Sequence, residues 1–116
     1  MSEQVSIQRA ILAVARDLID VPERWCQGMT WSHGPAGARY CMMGALSTAT
    51  QQLTPALGVF EFLDLVKCVR DTVREQLGLD TAVSSTVSVA AFNDAPTTTH
   101  EDVMLVFKHA IAKLEG

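Results

Sequence analysis

Little in this chain is concentrated. Nine Lys and Arg residues are scattered among thirteen Asp and Glu, for a net charge of −4 over 116 residues. A binder of phosphates needs a basic face, so nucleic acid is not an expected partner. No apolar stretch approaches the roughly 18–20 residues that cross a bilayer, which argues against a membrane-spanning helix. Arg9, Arg16 and Asp17 interrupt the apolar segment near the start, and no cleavage-site pattern follows it, so a secretory signal is not expected. Cysteine is scarce and its count, three, is odd. Together these features point to free thiols in a reducing cytoplasm. Aromatic residues make up only 6% of the chain, and neither an internal repeat nor a low-complexity tract stands out.

What is present is a globular balance, 48% apolar and 19% charged, at the size of one domain spanning residues 1–116. Most of the chain carries helical periodicity. Ile7, Ile11, Val14, Ala15, Leu18 and Ile19 make an apolar stripe over 2–20, ended by Val21-Pro22. Met43, Leu46, Thr50 and Leu53 line one side of a helix over 42–53. Gly44-Ala45 lets another backbone approach that helix closely.

Thr54-Pro55 reads as an N-cap followed by proline at the first helical position, opening the longest helix, 55–77, with Gly78 as its C-terminal cap. Its stripe is Val59, Phe62, Leu63, Val66, Val69, Val73 and Leu77, broadened by Phe60 and Leu65 beyond what one core face needs. Lys67 and Asp71 are spaced to pair on the wet face. Residues 84–92 alternate like a strand, yet Ser84 or Ser85 would cap a short helix, and helix is the expected state. Asn93-Asp94-Ala95-Pro96 reads as a turn. Thr99-His-Glu-Asp102 reads as a capping box opening a last helix over 99–115, with Val103, Val106, Phe107, Ala110, Ile111 and Leu114 buried.

One stretch, 25–46, departs from this pattern. It holds both tryptophans, the only tyrosine, two of the three cysteines and four of the seven glycines. Gly34-Pro-Ala-Gly37 is turn chemistry between two short strand-like runs, which predicts a β-hairpin over about 26–42. Trp31 then faces Tyr40 and Met29 faces Met42, with Thr30 and Cys41 paired on the other face. That register leaves Cys26 well away from Cys41, so a disulfide between them would require an irregular segment.

Four short motifs fall in order along the chain: Trp25-Cys-Gln-Gly28, Cys41-x-x-Gly44-Ala-Leu46, Phe92-Asn-Asp94 and Thr99-x-Glu-Asp-Val103. Over about residues 5–114 the chain resembles a family of small bacterial and phage proteins of unknown function. Its members show W-x-Q-G, C-x-x-G-A-L, W-N-D and T-x-x-[DE]-V. Phe92 departs from that pattern, standing where the family usually has tryptophan. The resemblance implies a mainly helical domain and a phage or mobile-element setting. It marks Gln27, Cys41, Asn93 and Asp94 as positions of interest and assigns no activity.

The sharpest catalytic constellation is a thiol. Cys41 sits where a strand runs into a helix, whose N-terminus favours thiolate. His33 or His100 would serve as base, Asn93 would orient it, and Gln27 would donate to an oxyanion. Against this, free cysteines most often act as buried small hydrophobes. Cys26, His33 and Cys41, with Asp94 or His100, match no paired zinc spacing, so no metal or other cofactor is expected. Asn93-Asp94 reads first as a local structural pair and second as an amide presented to a ligand. His100, beside Glu101 and Asp102, reads as solvated.

The resulting expectation is a mainly α single domain of four to five helices with one small β-hairpin. The long and last helices should pack on the first. Its function is expected to be non-enzymatic binding of a protein partner or small ligand through Trp25, Gln27, Trp31, Tyr40, Cys41, Asn93 and Asp94. In a phage setting this would mean binding and inhibiting a host protein. The alternative is a small hydrolase or transferase centred on Cys41. A homodimer through 55–77 is a further expectation.

Overall fold

The computed structural model describes residues 3–77 and 85–115, so the cap expected at Gly78 and Ser84 fall outside the described residues. The elements in order are α1 (Glu3–Leu18), a 3-10 turn (Pro22–Arg24), β1 (Trp31–Gly34), β2 (Gly37–Tyr40), α2 (Met42–Leu53), α3 (Val59–Leu77), α4 (Ser85–Asp94) and α5 (His100–Glu115). The fold is mainly α with one small antiparallel hairpin, and residues 85–94 are helix. No described helix is long and apolar enough to cross a membrane.

The helices close into a ring. α2 packs on α1, α1 on α5, α5 on α3, α3 on α4, and α4 back on α2. Each contributes its apolar stripe to one core: Ile11, Leu12 and Ala15 from α1, Ala45, Leu46 and Ala49 from α2, Leu65, Val66 and Val69 from α3, Val89 and Phe92 from α4, and Val103, Val106 and Phe107 from α5. α3 therefore leans on α4 and α5, not chiefly on α1 as expected. A ring of five gives each helix two neighbours, and α5 fills the place between α1 and α3.

α3 also starts later than its sequence signals suggest. Thr54 ends α2, its N–H donating to Thr50 O at 2.8 Å. Leu57 N–H then closes a turn on Thr54 O at 2.9 Å, and the helix begins at Val59. Thr54 cannot end one helix and open the next without a turn between them. Only part of the apolar band on α3 is used: Leu65, Val66, Val69 and Val73 are buried, while Val59, Phe60 and Leu63 are exposed. On α2, Leu53 is exposed. Asp71 pairs with Arg70 at 2.7 Å and with Arg74 at 3.8 Å instead of with Lys67. Thr99 and Asp102 do form the capping box of α5. Thr99 N–H donates to Asp102 Oδ2 at 2.9 Å, and Asp102 N–H to Thr99 Oγ1 at 3.1 Å.

The hairpin keeps its expected Trp31–Tyr40 register but is shorter than 26–42. Cys41 N–H still reaches Thr30 O at 3.1 Å. Met42, however, is already the first residue of α2 and fully buried, while Met29 is exposed, so those two do not pair. Residues before Thr30 turn back instead. Gly28 takes a positive φ of 80°, a conformation that favours glycine. Trp25 then bridges Tyr40 in parallel from the side opposite β1, with Cys26 N–H donating to Tyr40 O at 3.1 Å. Cys26 thus lies beside the 40–41 backbone and not far from it, because the segment is a loop and not a longer ladder. Both thiols, like that of Cys68, are free.

Gly44 sits where the loop crosses α2, and a Cβ there would run into the carbonyl of Thr30. Gly44→Ala should therefore lower stability by about 1–3 kcal/mol, although alanine in an open helical site gains roughly 1 kcal/mol over glycine. Urea unfolding checks this. A variant as stable as the parent would mean that the crossing is loose.

Candidate functional site

The residues that looked chemical gather where α4 ends and α2 begins. Asn93, in the last turn of α4, is fully buried. Its Oδ1 accepts from Trp25 Nε1 at 2.8 Å and from Met42 N at 2.9 Å. Its Nδ2 donates to Cys26 O at 3.1 Å and to Asp94 Oδ1 at 2.9 Å. Both lone pairs and both protons of the amide are engaged. Asn93 and Asp94 therefore belong to a helix and reach across the fold, rather than forming the expected local turn. That turn comes later, closed by Thr98 N–H on Ala95 O at 3.0 Å.

Gln27 completes the arrangement. Its amide Nε2 donates to Asn93 O at 2.9 Å and to Ala95 O at 3.0 Å, supplying donors to carbonyls left open at the end of α4. Asp94, exposed, accepts from Gly28 N at 2.9 Å. Across the junction Cys41 is the N-cap of α2, its Sγ accepting from Gly44 N at 3.3 Å. Asn93 satisfies Met42 N in the same helical turn. One cluster thus caps the C-terminal end of one helix and the N-terminal end of another, donating where carbonyls are free and accepting where N–H groups are free.

His100 is not solvated as expected. It is half-buried, its ring 6.0 Å from that of Trp25, and its Nε2 lies 2.6 Å from Ile19 O just past the end of α1. The carbonyl is an acceptor, so the proton sits on Nε2. Trp25, Gln27, Tyr40, Cys41, Asn93 and Asp94 are brought together. Trp31 and His33 are not: they lie on β1 and pack against each other edge to face, centroids 5.1 Å apart at 87°.

No histidine hydrogen-bonds the thiol of Cys41 among the described residues, and its one partner there is the Gly44 N–H. The other thiols are disfavoured as thiolates. Burial pushes Cys26 up, partly offset by a hydrogen bond with Ser32, and burial likewise raises Cys68. Among the described residues no three His, Cys, Asp or Glu side chains are grouped to hold a metal ion. Sequence reasoning missed the Gly28 N–H, the Met42 N–H and the His100–Ile19 contact. Glycine after W-C-Q was a signal for the first, whereas backbone donors leave no trace in residue type.

Over residues 6–113 the chain matches the family of unknown function DUF6197, and it belongs to that family. No curated protein and no solved structure matches it.

Two substitutions weigh the buried amide. Asn93→Ala strips partners from Trp25, Met42 and Cys26 at once and should cost on the order of 3–5 kcal/mol. Trp25→Phe keeps most of the ring and removes one donor, for about 1 kcal/mol. Chemical denaturation should rank them in that order, and equal losses would show that packing, not the amide, holds the cluster.

Proposed function

We propose that this member of DUF6197 is a non-enzymatic binding module that engages a protein partner through its β-hairpin. One observation carries the reading. Trp31 is 55% exposed, with Met29 at 54%, whereas the other two large aromatics of the 25–46 stretch, Trp25 and Tyr40, are partly buried against the core. Exposed tryptophan is costly to leave in water and is the residue type most often found to anchor an interface. The hairpin is held at its base by the Asn93 cluster, so little order has to be gained on binding. The setting we infer is a cytoplasmic, phage- or mobile-element-borne protein that binds and inhibits a host component.

A thiol hydrolase or transferase at Cys41 is the competing reading, supported by its place at the N-terminus of α2. Its burial and the Gly44 contact favour a capping role instead. The expected homodimer would use a different surface, the exposed Val59, Phe60 and Leu63 of α3, and would leave the hairpin free. If it forms, Phe60→Asp should shift the sedimentation coefficient of a dimeric parent to that of a monomer.

Capture of partners by the immobilised chain tests the main reading. Trp31→Ala should weaken the retained partner by about 2 kcal/mol or more, roughly thirtyfold in Kd, with circular dichroism unchanged, while Cys41→Ser retains it. Loss on Cys41→Ser at intact fold, with Trp31→Ala binding normally, would overturn the hairpin reading in favour of the thiol.

A further inference from the structure

The loop 25–30 puts two of the three cysteines side by side. Trp25 and Tyr40 form a parallel bridge, closed by Cys26 N–H on Tyr40 O at 3.1 Å. The backbone is extended at Trp25 (φ −109°, ψ 143°) and at Cys41 (φ −78°, ψ 176°), so residues 26 and 41 are the next lateral pair. Side chains alternate along extended backbone, which sends both thiols to the face opposite Trp25 and Tyr40. Neighbouring strands run about 4.8 Å apart, within the roughly 4.4–6.8 Å between Cα atoms that a disulfide spans. The surroundings agree: Cys26 Sγ donates to Met29 O at 3.6 Å, and Cys41 N–H donates to the adjoining Thr30 O at 3.1 Å. Both thiols are buried, and Cys41 lies close enough to add to the burial that disfavours charge on Cys26.

We infer that Cys26 and Cys41 are a dithiol latch at the base of the hairpin, closing into an intramolecular disulfide when the thiol pool around the protein turns oxidising. The co-reactant is a small disulfide such as glutathione disulfide. One thiolate attacks it, releasing a glutathione thiolate and leaving a mixed disulfide. The second thiolate then displaces the remaining glutathione. Two thiols give up two protons and two electrons, and one glutathione disulfide becomes two glutathione molecules. The closed loop contains both strands, so the link ties the hairpin to the junction that caps α2 and restrains the unfolded chain. Only its effect on partner binding rests on the hairpin reading; the link itself does not.

Cys68, half-buried on α3, is removed as Cys68→Ser so that one pair is left. That folded protein is equilibrated across glutathione redox buffers, quenched with acid, and read by mass spectrometry and peptide mapping. The expected result is loss of two hydrogens, a 26–41 cross-linked peptide, native circular dichroism and a higher urea midpoint than the reduced form. Cys26→Ser and Cys41→Ser, each in the Cys68→Ser background, should stop at the mixed disulfide or the free thiol. Stable double glutathione adducts, covalent dimers, or a link that lowers the urea midpoint would overturn the latch. Partner capture by the oxidised and reduced forms then reports on the hairpin reading alone, whichever way the linkage result falls.

Discussion

The buried carboxamide of Asn93 is the constraint from which the rest of this molecule follows. An amide taken out of water must find partners for two protons and two lone pairs, or it costs several kcal/mol. Here the partners come from Trp25, Cys26, Met42 and Asp94. Three remote segments, the loop after the 3-10 turn, the start of α2 and the end of α4, can be satisfied only together. The amide therefore ties the ring of helices to the hairpin segment.

Helix ends supply the reason such a cluster exists. Every helix leaves N–H groups open at one end and carbonyls at the other, and a small domain with five helices must deal with many of them near its core. Most of the residues that invite a catalytic interpretation do so, His33 on β1 being the exception. Gln27 covers the end of α4, Cys41 and Asn93 the start of α2, His100 the end of α1, and Thr99 with Asp102 the start of α5. Polar side chains used in this way are neither free nor poised. Within the 25–46 stretch, Met29 and Trp31 are the large hydrophobic residues left exposed.

The helices were legible because burial leaves a periodic mark. Ile11, Val66, Val106 and their neighbours repeat at the spacing of one helical face, and the short run ending at Phe92 read correctly as helix. Trp31 opposite Tyr40 was legible because Gly34-Pro-Ala-Gly37 sets the register. Harder to read was where one element yields to the next. Thr54 carries an N-cap signature yet ends α2, since its side-chain type does not say which neighbour claims its backbone. Which part of the wide apolar band on α3 is buried was equally hidden, because it depends on where α4 and α5 lie.

By itself the sequence determined the class of fold, the segments that become helix, and the Trp31–Tyr40 register of a hairpin. Those are local properties, written in periodicity, capping types and turn residues. The tertiary structure alone decided that Asn93 would face Trp25 and Met42, that Cys26 would come to rest beside Cys41, and that His100 would turn inward to Ile19. Each of these depends on backbone groups and on segments up to 81 residues apart. Residue identity records what a side chain can donate or accept, but not which distant carbonyl or N–H the packing will place in front of it.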